Sequence, residues 1–509
     1  MGLTKATNRM ISGSAINVLD FGAVGDGITN DTAAIRLAIA ALADKGTLHF
    51  PPGTYLISNA IYSSGAGIWP TSNTTWFLSP GATIKNVTAN IQYAMIIADS
   101  ITDWTLCGGG TIEGYVVNDA TENGYPIQIT TGAVNITIRD ITFINSMADC
   151  IYIGTTSTAP VNVLIENCRI SGARRNGLAL TAGTNVSILN CTFKDTYNPD
   201  HVTIQSGLDI EPAANLIVND VIVKGCTFTG NYGAGMTVFG GATNAEISNI
   251  VISDNYFKNN CIYGLTNSST LTSALQATTT LRCQIINNVM IDLNKRGGIY
   301  SDLNRECTIS GNSITGSKST AAHPTAPEML SGITINACTR VTVTNNSVRT
   351  SNYHGYYFFQ SFNTVLANNT SDNDLLHNIA SQSNTDCYIT GNILSNANNA
   401  GIYSLNDNYT SILDNRIIDN NKAALVTTDQ QGASIVVTYS AANTPTNMMV
   451  AGNTTRTPTT TPTYPLKIVG ANVTNCIACP NDFRGTFVNA VSNTGTGTIL
   501  SNTDVVNYT

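Results

Sequence analysis

Charge is scarce in this chain. Only 11% of its 509 residues are Asp, Glu, Lys or Arg, against 42% hydrophobic. Helix surfaces are usually built from Lys, Glu and Arg, so the scarcity argues against a mainly helical protein. Asn, Thr, Ser and Gly fill the polar positions instead, and these suit strands, turns and side-chain ladders. A basic excess is missing too. The net charge is −8 and the pI about 5.1, which leaves no electrostatic footprint for nucleic acid. No apolar run is long enough to cross a membrane, so membrane insertion is not expected. The first ten residues lack an apolar signal core, so secretion by a signal peptide is not expected either. Metal-site spacing is nearly absent among the 12 cysteines. Cys476 and Cys479 have two residues between them, but a structural metal site needs about four ligands. No metal and no cofactor are expected.

What is present is a repeat. Gly332, Gly355, Asn378, Gly401 and Ala424 each precede an apolar-x-apolar strand, at steps of 23 residues. Asn346, Asn369, Asn392 and Asn415 keep the same step, as do Asn167 and Asn190 upstream. A fixed period in the twenties means a solenoid. Identical Asn positions predict a hydrogen-bonded ladder up one corner. A leucine-rich repeat would need Leu at fixed offsets and helical segments, and neither is here. Cys168, Cys191 and Cys226 recur in Asn-Cys-Arg-Ile, Asn-Cys-Thr-Phe and Gly-Cys-Thr-Phe, where stacked thiols serve as small buried hydrophobes.

One rung departs from the rest. In Ser206-Gly-Leu-Asp-Ile-Glu-Pro212, Asp209 and Glu211 stand at i and i+2 and share a strand face. If Leu208 and Ile210 point inward, both carboxylates point outward. Neighbouring rungs put Tyr152, Ala179, Thr237 and Tyr300 at the first outward position, and Gly154, Thr181 and Phe239 at the second. Gly177 to Gly207 is 30 residues, so a loop is inserted over Thr196–Gln205, directly before the carboxylate strand. Carboxylates forced together in a groove are poised for acid–base work, and Asp209 and Glu211 are the candidate catalytic pair. Strand geometry sets their Cα atoms roughly 6.5–7 Å apart, which leans toward an inverting glycosidase, with Glu211 as the acid and Asp209 ionised. Around them, Arg174 and Arg175 are placed to bind an acidic group or tune a carboxylate. Asp200 and His201 lie in the insertion. Tyr152, Tyr197 and Phe239 are candidates to stack on sugar rings. A calcium site with help from Asp149 ranks lower, because calcium wants six or more oxygens. Two further insertions are expected at Ser268–Thr280 and Ser317–Met329.

The N-terminal stretch reads as a cap. Ile16 to Phe21 alternates as a strand, Asp31 is a good N-cap, and Ile35, Ile39 and Leu42 fall on one helical face. Gly46 ends that helix. The string Phe21-Gly-Ala-Val-Gly-Asp-Gly-Ile-Thr-Asn-Asp-Thr-Ala-Ala-Ile closely resembles the opening motif of the pectate-lyase-like right-handed β-helix superfamily. The match is best to its bacteriophage tailspike and capsule depolymerase branch. Asn30 stands where that motif has Asp, and Arg36 where it has Gln.

The resemblance implies an all-β fold, a right-handed parallel β-helix with coils of about 23 residues and a short N-terminal capping helix. We expect residues 1–15 as an arm, 16–58 as the β-helix opening with its helix, 59–453 as the β-helix with groove loops, and 454–509 as a C-terminal region, a cap or subunit contact. The resemblance further implies a virion-borne phage tailspike that binds and cleaves a bacterial surface polysaccharide, an O-antigen or capsule. A homotrimer working with other phage tail proteins is expected. Two rivals remain: a polysaccharide lyase, with Arg174 or Arg175 neutralising a uronate and Tyr197 or His201 as base, and a non-catalytic adhesin. The family's polygalacturonases carry Asn-Thr-Asp, Gly-x-Asp-Asp and Gly-His-Gly; this chain has Asn384-Thr-Asp386 alone. The Asp-Pro-His-Glu string of mannuronan epimerases and the Arg-rich pectate-lyase signature are missing. Those three activities are disfavoured.

Overall fold

The computed structural model describes residues 15–506 apart from 59–66, 88–93, 117–123, 198–204, 261–272, 293–296, 317–329, 422–432, 441–444, 458–463, 471, 479, 485–486, 488–490 and 501–502. The chain divides into two compact units, Met1–Val251 and Ile252–Thr509. Each is a right-handed parallel β-helix in which most coils give one short strand to each of three parallel sheets.

In the first unit, one sheet holds Ile96–Ala98, Ile127–Ile129, Ile151–Ile153, Leu178–Leu180, Leu208–Ile210 and Met236–Phe239. The apolar-x-apolar pattern explains it. Ile151, Leu178, Leu208 and Met236 stack in register on the inner face, as do Ile153, Leu180, Ile210 and Val238, and all eight are fully buried. A strand this short gains little alone. It is held by its neighbours one spacing, about 4.8 Å, to either side. On another sheet Phe193 and Phe228 stack at 5.1 Å.

The helix forms over Thr32–Ala41 and buries Ile35, Ala38 and Ile39. Its N-terminus differs from the expectation in one detail. The Asp31 carboxylate accepts from Val24 N (2.7 Å) and Gly25 N (3.2 Å), tying down the glycine loop rather than capping the helix. Asn30 takes that role through Thr32 N and Oγ1, at 3.1 and 2.7 Å. Arg36 donates from Nε and Nη2 to Gly67 O. Both departures from the family motif therefore have partners of their own.

The expected Asn ladder is present in the second unit. Asn255, Asn288, Asn312, Asn346, Asn369, Asn392, Asn415, Asn453 and Asn481 are all buried. From Asn255 to Asn453, each donates from both backbone N and Nδ2 to the Oδ1 of the next. Asn167 and Asn190 do not belong to it. They are exposed bend residues with φ of 51° and 53°, a left-handed conformation that Asn tolerates. The buried position beside them is held by Cys168 and Cys191. Asn384 is a buried residue of another ladder, its N bonded to Asp407 Oδ1 at 2.8 Å, so the isolated Asn-Thr-Asp string is structural.

Three placements need correction. The coil after Ile402 pairs Ile402 with Ile435, so its strand is Ala433–Thr438, and Ala424 lies outside the described residues. Ser273–Thr278 pairs with Gly297–Asp302 as a strand, so the expected Ser268–Thr280 insertion is partly sheet. Finally, Thr454–Arg456, Tyr464–Ile468, Asn481–Arg484 and Ser492–Asn493 continue the same pairings, so the coil pattern does not break at 454.

Candidate functional site

The carboxylate strand Leu208–Ile210 lies between Leu178–Leu180 and Met236–Phe239. Along the outer face Tyr152, Ala179, Asp209 and Thr237 are in register. One polar position recurs just before these strands, held by Asp149, Asn176 and Ser206 on successive coils. Asn176 N donates to Asp149 Oδ1 (2.9 Å), and Ser206 N donates to Asn176 Oδ1 (2.9 Å). The Asn176 side chain is thereby fixed, and its Nδ2 reaches Asp209 Oδ2 at 3.2 Å. Ser206 Oγ is bonded to Thr237 Oγ1 at 2.7 Å.

Asp209 faces outward as expected, but it is not exposed. Its relative accessibility is 2%, and its Oδ1 is buried without a hydrogen-bond partner. Burial pushes its carboxyl well above the usual carboxylate range. The charges of Glu211 and Asp149 push the same way, while Arg175 and the Asn176 bond pull against them. That direction runs against the expectation that Asp209 stays ionised, and Glu211 is the half-buried member of the pair. Glu211 N is held by Leu180 O at 3.1 Å. It stands one position past the last register pair, Ile210 with Val238, and so opposite the half-buried Phe239.

The two arginines separate. Arg174 is buried and donates Nε to Met147 O, which makes it part of the coil wall, not a ligand-facing cation. Arg175 is half-buried, and its Nη1 lies 3.7 Å from Asp149 Oδ2. Asp149, Arg175, Asn176, Asp209 and Glu211 thus form one cluster drawn from three coils.

Tyr152 stacks on Tyr125 at 4.6 Å and bonds Thr181 Oγ1 through its hydroxyl at 2.8 Å. Tyr197 is 59% exposed and meets Tyr232 edge-on at 5.7 Å. Asp200 and His201 lie outside the described residues. The base of their insertion is closed, because Thr196 Oγ1 donates to Gln205 O at 2.6 Å. Sequence reasoning missed Asn176 as a site residue and gave Asp149 only a calcium role. The signal was there, in a polar residue two places before each of the strands that begin at Ile151, Leu178 and Leu208.

The cluster can hold a proton against a neighbouring charge and present both to a ligand. It offers three carboxylates and one guanidinium. The described residues hold no group of three or more His, Cys, Asp or Glu fit for a metal ion.

Comparison with known proteins follows the fold. The sequence profile of the rhamnogalacturonase A/epimerase, pectate lyase-like family matches residues 15–289. That of the periplasmic copper-binding protein NosD matches 263–475. The described residues of that second stretch do not suit copper: Cys283, Cys307, Cys338 and Cys387 are buried, and the Nδ1 atoms of His354 and His377 each accept a backbone N–H. The Bacillus subtilis protein YclG is 24% identical over 278 residues, covering 49% of this chain and 46% of that protein. The pre-neck appendage protein of Bacillus phage phi29 is 26% identical over 243 residues, 42% of this chain and 26% of that one. A mutant tailspike of Escherichia coli bacteriophage HK620 bound to a hexasaccharide is 12% identical, with a TM-score of 0.49, covering 95% of this chain and 78% of that one. The chain spans less than half the length of these two curated relatives. It belongs to the rhamnogalacturonase A/epimerase, pectate lyase-like family.

Proposed function

We propose that the chain is a depolymerase of a bacterial surface polysaccharide, an endo-acting glycosidase with Asp209 and Glu211 as its acid–base pair. The observation that carries this is Asp209 itself. A buried carboxyl with an unpartnered Oδ1 stands two residues from a second carboxylate on an outer sheet face. Burial and a like charge favour the protonated form, so Asp209 is assigned as the general acid. Glu211, half-buried, is assigned as the base that activates water. The roles expected from side-chain length are therefore exchanged. Cα atoms roughly 6.5–7 Å apart favour an inverting reaction, which needs carboxyls about 6.5–9.5 Å apart.

Family membership supports action on a carbohydrate, and similarity to the phi29 appendage protein supports a place on a virion. A homotrimer fits that setting, and light scattering on the chain tests it. The lyase reading is weaker, because Arg174 is bonded into the wall and Arg175 faces Asp149. Incubation with a panel of purified O-antigens and capsular polysaccharides, with products analysed by mass spectrometry, decides the reaction. Hydrated reducing ends support the proposal. An unsaturated sugar means a lyase, and binding without product means an adhesin.

A further inference from the structure

Asp209 does not stand alone with Glu211. The charged and titratable groups facing it come from three coils. Glu211 lies on its own strand, Arg175 on the coil before and Asp149 on the coil before that; Ser206, Asn176 and Thr237 around it are uncharged. Three carboxylates thus share one guanidinium in a largely buried space. Their compensation is unequal. Asp149 receives the Asn176 N–H at one oxygen and faces Arg175 at the other. Glu211 is half-buried and within reach of water. Asp209 has one amide bond at 3.2 Å and an oxygen with none. Like charges so placed cannot all stay ionised, and the least compensated group keeps the proton.

We propose that Asp149 and Arg175 are an opposed pair of positioning residues acting on Asp209, a negative and a positive charge set beside a carboxyl that Asn176 ties to Asp149. Asn176 is the rigid spacer, since the same residue takes Asp149 at its backbone and Asp209 at its side chain. The value of such a pair is a poised acid. Burial and the Glu211 charge already favour the proton on Asp209; Asp149 adds to that hold, and Arg175 keeps the proton loose enough to transfer. This rests on the reading of Asp209 as the acid, but it predicts a protein property that needs no substrate.

The test is the infrared band of protonated carboxyls, followed against pH in the full chain. The part that disappears in Asp209→Asn belongs to Asp209. That titration is then repeated in Asp149→Asn and Arg175→Gln. Asp149→Asn, which keeps an oxygen for the Asn176 N–H, is expected to move the midpoint down by about one pH unit or more, and Arg175→Gln to move it up by a similar amount. Arg175→Lys, which keeps the charge, should leave it nearly in place. A merely structural role would not produce opposite signs. Shifts of the same sign, or no shift in either variant, overturn the proposal. If Asp149→Asn does not fold, Arg175→Gln against Arg175→Lys decides alone. Opposite shifts in a protein that cleaves nothing on the panel would keep the opposed pair and remove the glycosidase reading.

Discussion

The two units use the same rung position differently. In the first it holds Cys168, Cys191 and Cys226; in the second, the asparagines from Asn255 to Asn481. The geometry is otherwise alike. Cys191 Sγ approaches Ile165 O at 3.6 Å, and Asn369 Nδ2 approaches Val343 O at 2.9 Å, each 26 residues back. The difference lies in what else the side chain reaches. An Asn receives two hydrogen bonds from one neighbour and gives two to the other, whereas Cys191 accepts one long contact from Cys168 N at 3.4 Å. A thiol fills space, and an amide joins coils. The outer faces diverge in the opposite sense. The first unit carries the Asp149–Arg175–Asp209–Glu211 cluster. The second carries stacked rings, with His354 on His377 at 5.2 Å and His377 on Tyr403 at 4.8 Å. Strong rungs and a packed face go together in one unit; weak rungs and a charged face go together in the other. This is the pattern expected where a site tolerates local instability that regular coils do not.

The largest effect should come from breaking the strong rung. Asn369→Ala removes the acceptor of Asn346 N and of one Nδ2 hydrogen and the donor to Val343 O, while Asn392 Oδ1 keeps the backbone N–H of position 369, so a loss of about 3–5 kcal/mol is expected, from roughly 1–3 per buried unsatisfied group. Calorimetry measures it, or unfolding rates where unfolding is irreversible. A loss below that of Cys191→Ala would invert the comparison.

A pH effect comes next. Burial lowers the His377 ring from 6.5 to about 4, so the unfolded chain takes up the proton first. That stability is present above about pH 6.5 and is lost as pH falls toward 4. Asp374 and Asp407, raised by burial to about 7 and about 6, run the other way. Their stability is present below the ordinary carboxylate value and is lost as pH rises. His377→Gln removes the first contribution only. Its deficit relative to wild type should therefore shrink by about 2 kcal/mol between pH 7.5 and pH 5. A deficit that is constant with pH would mean that the ring titrates normally.

The weak rung should yield less. Cys191→Ala is expected to cost about 1 kcal/mol. Single replacement by Asn should also destabilise, because Cys168 and Cys226 cannot complete its bonds. Changing all three to Asn should cost less than the three single losses added together, a coupling that thermal melts of the four variants would show. Strict additivity would mean that the asparagine rungs gain nothing from one another.

Smallest of all should be the deletion of Asn198–Thr203. Thr196 and Gln205 are already joined across the base of that insertion. The melting temperature should hardly move while polysaccharide binding weakens. Unfolding would place the insertion in the core.

Much of this was legible in the sequence. The 23-residue step marked the coils, and Gly332, Gly355, Asn378 and Gly401 each precede a strand at Ile333, Tyr356, Ile379 and Ile402. The period failed where an insertion slid the register: the step of 23 reaches Ala424, whereas the strand of that coil begins at Ala433. Spacing alone could not tell an exposed bend Asn from a buried ladder Asn, because Asn167 and Asn346 sit one place apart in the coil. Alternation correctly turned Asp209 outward, but alternation does not report burial, and Asp209 is 2% exposed. That burial is the ground on which the proposed acid and base roles exchange those expected from side-chain length. Arg174 and Arg175 are adjacent in sequence and opposite in use, which only the fold decides.

The central claim is that Asp209 and Glu211 perform the cleavage. The most direct measurement is turnover of the polysaccharide selected from the panel by Asp209→Asn and Glu211→Gln, with melting temperature and polysaccharide binding measured beside it. The account predicts that each variant loses turnover by at least about a hundredfold while binding and melting stay near wild type. Wild-type turnover in both would place the chemistry elsewhere on the molecule and contradict it.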